Sequence, residues 1–400
     1  MPVSEPDQNN LGQETRKENA MEAFTFYNPT RISFGVGKIK DLGMELNKAG
    51  IKRILLIAGG GSIKQNGAYK QVLDSLGKGG IEFREVWGVQ ANPTLAKAQE
   101  IVSIAKENQT EALLAVGGGS VIDTAKAVAA GVYAADTWNL FTGTEKIEKA
   151  LPLYTVLTLS ATGSEMNGNA VITKSETRQK WGIGSELLYP RLSIIDPALQ
   201  GSLPFKQTAN GAIDAMAHIL EYYFADDKAI STLAINDALL KTIVEMADRL
   251  KTNPSDLLAR GNLAWSATLA LNGISGVGLK GGDWACHLIE HAFSALHPNI
   301  AHGEGLGVII PAWIEYMSEK DPARFLRWAK NVWSASGTSE AVKLFREKIK
   351  AWGSPINLRE LGISESDIAL LVEKSMIAPR LGQLSRFTAS DVEALLMLAY

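Results

Sequence analysis

Ala112-Leu-Leu-Ala-Val116, followed at once by Gly117-Gly118-Gly119-Ser120, is the stretch that decides the fold. Five apolar residues bounded by glycines read as a β-strand, and the helical pattern that follows makes the glycines a strand-to-helix turn. Glycines there let backbone amides approach a ligand without Cβ interference, and the helix N-terminus then favours phosphate oxygens. Ser120 and Asp123 stand in the S-x-x-D spacing of a capping box opening that helix. Upstream the same device recurs: Arg53-Ile-Leu-Leu-Ile-Ala58 runs into Gly59-Gly60-Gly61-Ser62. Neither turn matches G-x-G-x-x-G, but two at neighbouring strand ends point to pyrophosphate binding.

Working outward, further short apolar runs lie at Ile81 to Val86, Tyr154 to Leu159 and Leu192 to Ile195, with helical patterns at Tyr69 to Leu76 and Leu95 to Asn108. Strand and helix alternating in this way imply parallel strands with crossover helices, hence an α/β nucleotide-binding domain over residues 21–205. Beyond Pro204 the pattern becomes helical, rich in Ala, Leu and Met: Ala209 to Phe224, Ile230 to Leu250, Asp256 to Leu271, Trp284 to Leu296, Glu304 to Met317 and Pro322 to Trp333. Residues 206–400 therefore read as an all-helical domain. Residues 1–20 carry almost no apolar content and read as a disordered leader, with Met21 an alternative start.

The 400-residue chain is 46% hydrophobic with a net charge of −3, so it has no basic stripe for nucleic acid and no acidic block. No apolar run is long enough to cross a bilayer and no signal-peptide core is present, which reads as a cytoplasmic protein acting on small molecules. The single cysteine, Cys286, excludes an intramolecular disulfide and reads as a packing residue.

The first glycine turn offers Gly60 and Ser62 where a strand-end acid would bond a ribose 2′-hydroxyl, which favours NADP over NAD. A third cluster, Thr158-Leu-Ser-Ala-Thr162-Gly163-Ser164-Glu-Met-Asn167, places hydroxyls at another strand end, suited to ribose or carboxamide but equally to a plain loop. Asp123 reads as a cap or as a group near the nicotinamide, and Lys180 on its own as a solvated charge.

All five histidines (His218, His287, His291, His297 and His302) fall in the helical half. Asp214 and His218 are i and i+4 on one helix, and His287 and His291 repeat that spacing on another, so each pair shares a face. Imidazoles with a carboxylate make a site for Fe(II), Zn(II) or a similar ion. His287-Leu-Ile-Glu290-His291 also matches the H-x-x-E-H zinc-hydrolase motif. A hydrolase leaves the glycine turns and the whole α/β half without a purpose.

Asn28-Pro-Thr-Arg-Ile-Ser-Phe-Gly35, the two Gly-Gly-Gly-Ser turns, Asn92-Pro93, Ala161-Thr-Gly-Ser-Glu165 and Asp283-Trp-Ala-Cys-His-Leu-Ile-Glu-His291 follow one another in an order that resembles the iron-containing (group III) alcohol dehydrogenases, and among them the NADPH-dependent butanol dehydrogenases. The likeness is nearly full length. It implies a dehydroquinate synthase-like two-domain architecture and a divalent metal on Asp214, His218, His287 and His302. It implies His291 as a proton relay beside the nicotinamide, and cofactor contacts from Gly60, Ser62, Gly118, Gly119, Ser120, Asp123, Thr158, Thr162, Ser164 and Lys180. A homodimer is implied on the same basis. Two departures bear on the last ligand: the His291 to His302 spacing is one residue longer than in some members, and His297 stands where relatives often carry another residue.

The expected chemistry is hydride transfer between NADP(H) and a small primary alcohol or aldehyde such as butanol or butanal, with the metal as Lewis acid. Other readings are a polyol or glycerol dehydrogenase or a lyase of the same broader fold, or a protein that only binds NADP or stores metal. A lyase gripping an anion needs basic residues, and only Lys280 and Arg260 stand near. Trp284 and Trp265 read as core aromatics that could instead line a substrate pocket.

Overall fold

Side chains that alternate along parallel strands account for the first half of the molecule, whose computed structural model describes residues 20–377 and 380–400. The proposed leader, Ala20 apart, lies outside the described residues. Strands β1 (Arg31–Phe34), β2 (Arg53–Ala58), β3 (Glu82–Val86), β4 (Ala112–Gly117), β5 (Leu153–Leu157) and β8 (Leu192–Ile195) form one parallel sheet in the order β1-β8-β5-β4-β2-β3. Successive residues face opposite sides. Leu55, Ile57, Leu113 and Ala115 pack under helices α4 (Leu95–Glu107) and α5 (Gly119–Gly131). Ile54, Leu56, Leu114 and Val116 pack under α1 (Leu42–Lys48) and α3 (Ala68–Gly79). With both faces covered, the inner strands β2, β4, β5 and β8 bury every apolar side chain, which is why they read as continuous apolar runs.

The chain leaves β2 through α3 toward β3 on one side and leaves β4 through α5 toward β5 on the other. The ends of β2 and β4 therefore flank the point where the winding reverses, the crevice in which α/β sheets hold their ligands. Both Gly-Gly-Gly-Ser turns sit there. The second opens α5 directly, and the first leads into the single-turn α2 (Ser62–Gln65).

Two elements of this half were not read from the sequence. Strand β1 lies at the sheet edge, partly exposed and only four residues long. The antiparallel hairpin β6 (Asn169–Lys174) and β7 (Gln179–Gly184) carries Asn, Thr, Lys, Gln and Gly among few apolar residues, so its period-2 signal is weak. It is held by packing on α5 and on a later helix, not by its own propensity. A short helix, α6 (Thr137–Thr142), covers it nearby, where Trp138 stacks between Phe141 and Trp181.

After β8 the chain is helical: α7 (Phe205–Tyr223), α8 (Ile230–Thr252), α9 (Leu257–Ala270), α10 (Ala285–Leu296), α11 (His302–Lys320), α12 (Pro322–Trp333), α13 (Thr338–Ala351), α14 (Ile368–Ser375) and α15 (Ala389–Leu398). The last three extend beyond the segments read from the sequence. One apolar core joins them, with Phe224, Trp313, Phe325, Trp328 and Phe345 in edge and tilted contacts at its centre.

Candidate active site

Helix α7 is apolar on almost every side, yet Asp214, His218 and Glu221 recur along one face at helical spacing, and all three are buried. Buried polar groups need partners. Glu221 supplies one to the neighbouring helix: its Oε1 lies 3.0 Å from Nδ1 of His287 and accepts a 3.1 Å bond from the His287 backbone N–H. That contact fixes the ring, leaving Nε2 of His287 free. One ligand atom each of Asp214, His218 and His287 lies within 4.8 Å of the others. Asp214 Oδ1, His218 Nδ1 and His287 Nε2 are all buried and have no hydrogen-bond partner among the described residues.

His302 joins them from the first residue of α11, which begins two residues before the Glu304 start read from the sequence. Its Nε2 stands 3.7 Å from Asp214 Oδ1, as does Nδ1 of His218. Its other nitrogen, Nδ1, is bonded to Glu290 Oε2. Two glycines make this approach possible: a Cβ on Gly303 would meet the Asn210 carbonyl oxygen at 2.2 Å, and one on Gly305 would meet Glu290 Cγ at 2.7 Å. A second group of potential ligands among the described residues is Glu290, His291 and His302, and His297 belongs to neither.

Three imidazole nitrogens and a carboxylate oxygen, unpartnered or turned inward, are the donor set a first-row divalent ion accepts, and a carboxylate bonded to the far nitrogen of His287 and of His302 is the usual support of such a ligand. Electrostatics agree. Burial holds His218 and His302 well below the usual histidine range, so both are neutral and their lone pairs available. Burial raises Asp214 to about 7, as expected of a carboxyl enclosed without its counter-ion.

A cavity of about 620 Å³ joins this cradle to the sheet. His218, His287, His291 and His302 line one part, and Ser120, Asp123, Thr162, Ser164 and Lys180 line another. Half of the cofactor residues named from the sequence thus face the metal cradle. Gly60, Ser62, Gly118, Gly119 and Thr158 sit at the strand ends outside its lining. At Gly119 glycine has a steric reason, since a Cβ would stand 2.5 Å from two atoms of the Thr162 side chain.

The capping box expected at Ser120 does not form. Gly118 is the N-cap of α5, and Ser120 lies inside the helix. The Asp123 carboxylate turns away, accepting from Ser164 Oγ at 2.6 Å and from the Val171 N–H at 3.0 Å. Lys126, fully buried one turn on, donates to Ser164 Oγ, Asn167 Oδ1 and the Asn169 carbonyl at 2.8, 3.0 and 2.7 Å, and burial lowers it to about 8. These bonds clamp the Thr162–Asn167 loop. Lys180 is likewise no solvated charge but is buried.

Sequence reasoning passed over Glu221, singled out Asn92 only as part of the Asn92-Pro93 motif without a role, and saw Glu290 only as a protease base. Glu221 was findable, being one more polar residue on the Asp214–His218 face. Glu290 is fully buried between Lys180 and His302, so it has no open face toward a substrate water, and the hydrolase reading of H-x-x-E-H loses its base. Of the two tryptophans, Trp284 lines the cavity, packing on His287 with a φ of 62° that is strained for so large a residue, whereas Trp265 packs on Phe34 elsewhere.

A parallel sheet with glycine turns at its reversal point, beside a cavity whose far wall is a buried cradle of imidazoles and a carboxylate, is the architecture of metal-containing dehydrogenases. The chain belongs to the iron-containing alcohol dehydrogenase family: the model for iron-containing alcohol dehydrogenases matches residues 29–197, and that for the C-terminal part of the Fe-containing alcohol dehydrogenase family matches 208–400. It is an alcohol dehydrogenase and aldehyde reductase of that family. The probable NADH-dependent butanol dehydrogenase 1 of Bacillus subtilis is 39% identical over 94% of this chain and 99% of its own length. The NADPH-dependent aldehyde reductase YqhD of Escherichia coli is 34% identical over 88% of this chain and 93% of its own. Among solved structures, NADH-dependent butanol dehydrogenase A of Thermotoga maritima superimposes with a TM-score of 0.93 at 48% identity, covering 95% of this chain and 99% of that one.

Proposed function

We propose that this protein interconverts small primary alcohols and aldehydes, butanol and butanal among them, using NADP(H) and one divalent ion, Fe(II) or Zn(II), on Asp214, His218, His287 and His302. The single observation that carries the reading is the set of buried, unpartnered donor atoms of Asp214, His218 and His287, of which the two histidines line the cavity that also reaches Ser120, Asp123, Thr162 and Ser164. When bound, the ion supplies Lewis acidity toward the substrate oxygen and the nicotinamide exchanges hydride with the substrate carbon. Everything else is the work of this chain. Glu221 and Glu290 hold the imidazoles of His287 and His302 in their ligating orientation. Leu271, Trp284 and Leu288 give the cavity an apolar wall, which favours an aliphatic substrate over a polyol. His291, one turn beyond His287, faces the same cavity; burial and then the Lys180 ammonium keep its ring neutral, able to accept the proton of an alcohol oxygen.

The cofactor residues in this reading are Gly60, Ser62, Gly118, Gly119, Ser120, Asp123, Thr158, Thr162, Ser164 and Lys180. The preference for NADP rests on the first turn. It offers no carboxylate for a ribose 2′-hydroxyl, and Glu85 on the adjacent strand has both oxygens occupied by Tyr69 and Trp87. Lys64, in α2 directly after this turn, rests its ammonium 4.2 Å above the Trp87 ring and gives the turn a neighbouring cation. The relatives differ on this point, so the comparison of NADPH with NADH is the experiment. Incubation with butanal and either cofactor should oxidise NADPH faster; a faster rate with NADH would reverse the assignment. Two domains, 21–205 and 206–400, a homodimer and a cytoplasmic setting complete the proposal; no helix among the described residues is long and apolar enough to cross a membrane.

A further inference from the structure

The hairpin that the sequence did not disclose places Lys180 against α10, on the far side of Glu290 from His302. The Lys180 ammonium has three N–H groups, and all three have partners: Ser294 Oγ at 2.9 Å, Asn92 Oδ1 at 3.1 Å and Glu290 Oε2 at 3.4 Å. Glu290 is fully buried, and the oxygen that meets Lys180 is the one bonded to Nδ1 of His302. A buried carboxylate left without partners is costly, and Lys180 supplies a partner to the same Glu290 oxygen that holds the His302 ring. Asn92 completes the chain. Its backbone lies at φ 52°, a conformation asparagine tolerates, and its Nδ2 donates to the carbonyls of Pro298 and Ile300 at 3.1 and 3.2 Å. Those carbonyls belong to the segment that leads directly into His302.

We infer that Asn92 and Lys180 are positioning residues for the last metal ligand: Lys180 fixes the orientation of Glu290, Asn92 pins the segment before His302, and together they turn Nε2 of His302 toward Asp214. The inference rests on the metal reading above. It is additional to the cofactor role proposed above for Lys180, whose ammonium would be shared between a bound dinucleotide and these three partners.

The test uses the full-length protein loaded with Co²⁺, without cofactor or substrate, and reads the visible absorption spectrum and the affinity for Co²⁺ by chelator competition. Asn92→Gly keeps the left-handed backbone free of strain and removes only the amide. Lys180→Met removes the cation, and Lys180→Met combined with Glu290→Gln removes the buried charge pair together if the single variant fails to fold. Asn92→Gly and Lys180→Met should each weaken Co²⁺ binding by about 10- to 100-fold, the range typical of groups that support a ligand. Their spectra should shift in the direction of His302→Ala. Co²⁺ affinity and spectrum equal to the unsubstituted protein in Asn92→Gly and in the lysine variants, with loss confined to a raised KM for the nicotinamide cofactor, would overturn it. Asp214→Ala separates the two levels: unchanged Co²⁺ affinity in that variant would reject the metal site itself, whereas loss there with none in the positioning variants rejects only this inference.

Discussion

At the scale of the residue, the site is a set of buried groups that make sense only around something absent from the chain itself. Asp214 shows this best. Burial, more than any neighbouring charge, raises its carboxyl to about 7, so in metal-free protein the native state holds a proton that the unfolded chain has released between about pH 4 and pH 7. Its contribution to metal-free stability is therefore present in acid and is lost as the pH rises through about 7. An ion needs the anion, so metal binding runs the other way and strengthens over the same window, with a proton released on binding. Metal content after dialysis across pH 5 to 8 should rise steeply near pH 7, and a flat profile would count against Asp214 as a ligand. Glu221→Gln keeps the shape beside His287 but weakens its hold, and should lower metal affinity about 10- to 100-fold without unfolding the helix. His291→Ala should retain full metal content while kcat at neutral pH falls by about 10²-fold or more, with partial recovery at alkaline pH; unchanged turnover would dismiss the relay.

At the scale of the element, glycine does two separable jobs in the turns. A Cβ at Gly119 would collide with Thr162, so its substitution disturbs the fold and the cavity wall together. At Gly60 a Cβ would meet nothing within 4 Å, so nothing in the protein itself requires glycine there. Gly60→Ala should leave the melting temperature unchanged yet raise the KM for NADPH by about 10-fold, since the added methyl can only meet a ligand. An unchanged KM would remove Gly60 from the cofactor site. The strands and helices that bury continuous or evenly spaced apolar residues, such as β2, β4, α4 and α7, were legible in the sequence for that reason. The β6–β7 hairpin was not, because its position is fixed by α5 and α10 and not by any pattern of its own, and with it went the surroundings of Lys180. The capping box at Ser120 failed for a related cause: Asp123 had better partners in Ser164 and Val171, residues more than forty positions away.

At the scale of the molecule, the α/β part brings Ser120, Asp123, Thr162 and Ser164 to one side of a cavity and the helical part brings His218, His287 and His302 to the other. Chain order carried much of this. Asp214 with His218, and His287 with His291, could be placed on shared helix faces by spacing alone. Which of the later histidines points inward could not, because that depends on Gly303 and Gly305 letting α11 approach α7 and α10. The account stands or falls on a single ion serving nicotinamide-linked turnover. Protein stripped by a chelator and titrated anaerobically with Fe(II), with Zn(II) in parallel, in the presence of NADPH and butanal tests this most directly. The account predicts negligible NADPH oxidation when stripped and a linear return of activity that saturates at one ion per chain, absent in Asp214→Ala. Full activity in the stripped protein, or saturation that survives in Asp214→Ala, would contradict it.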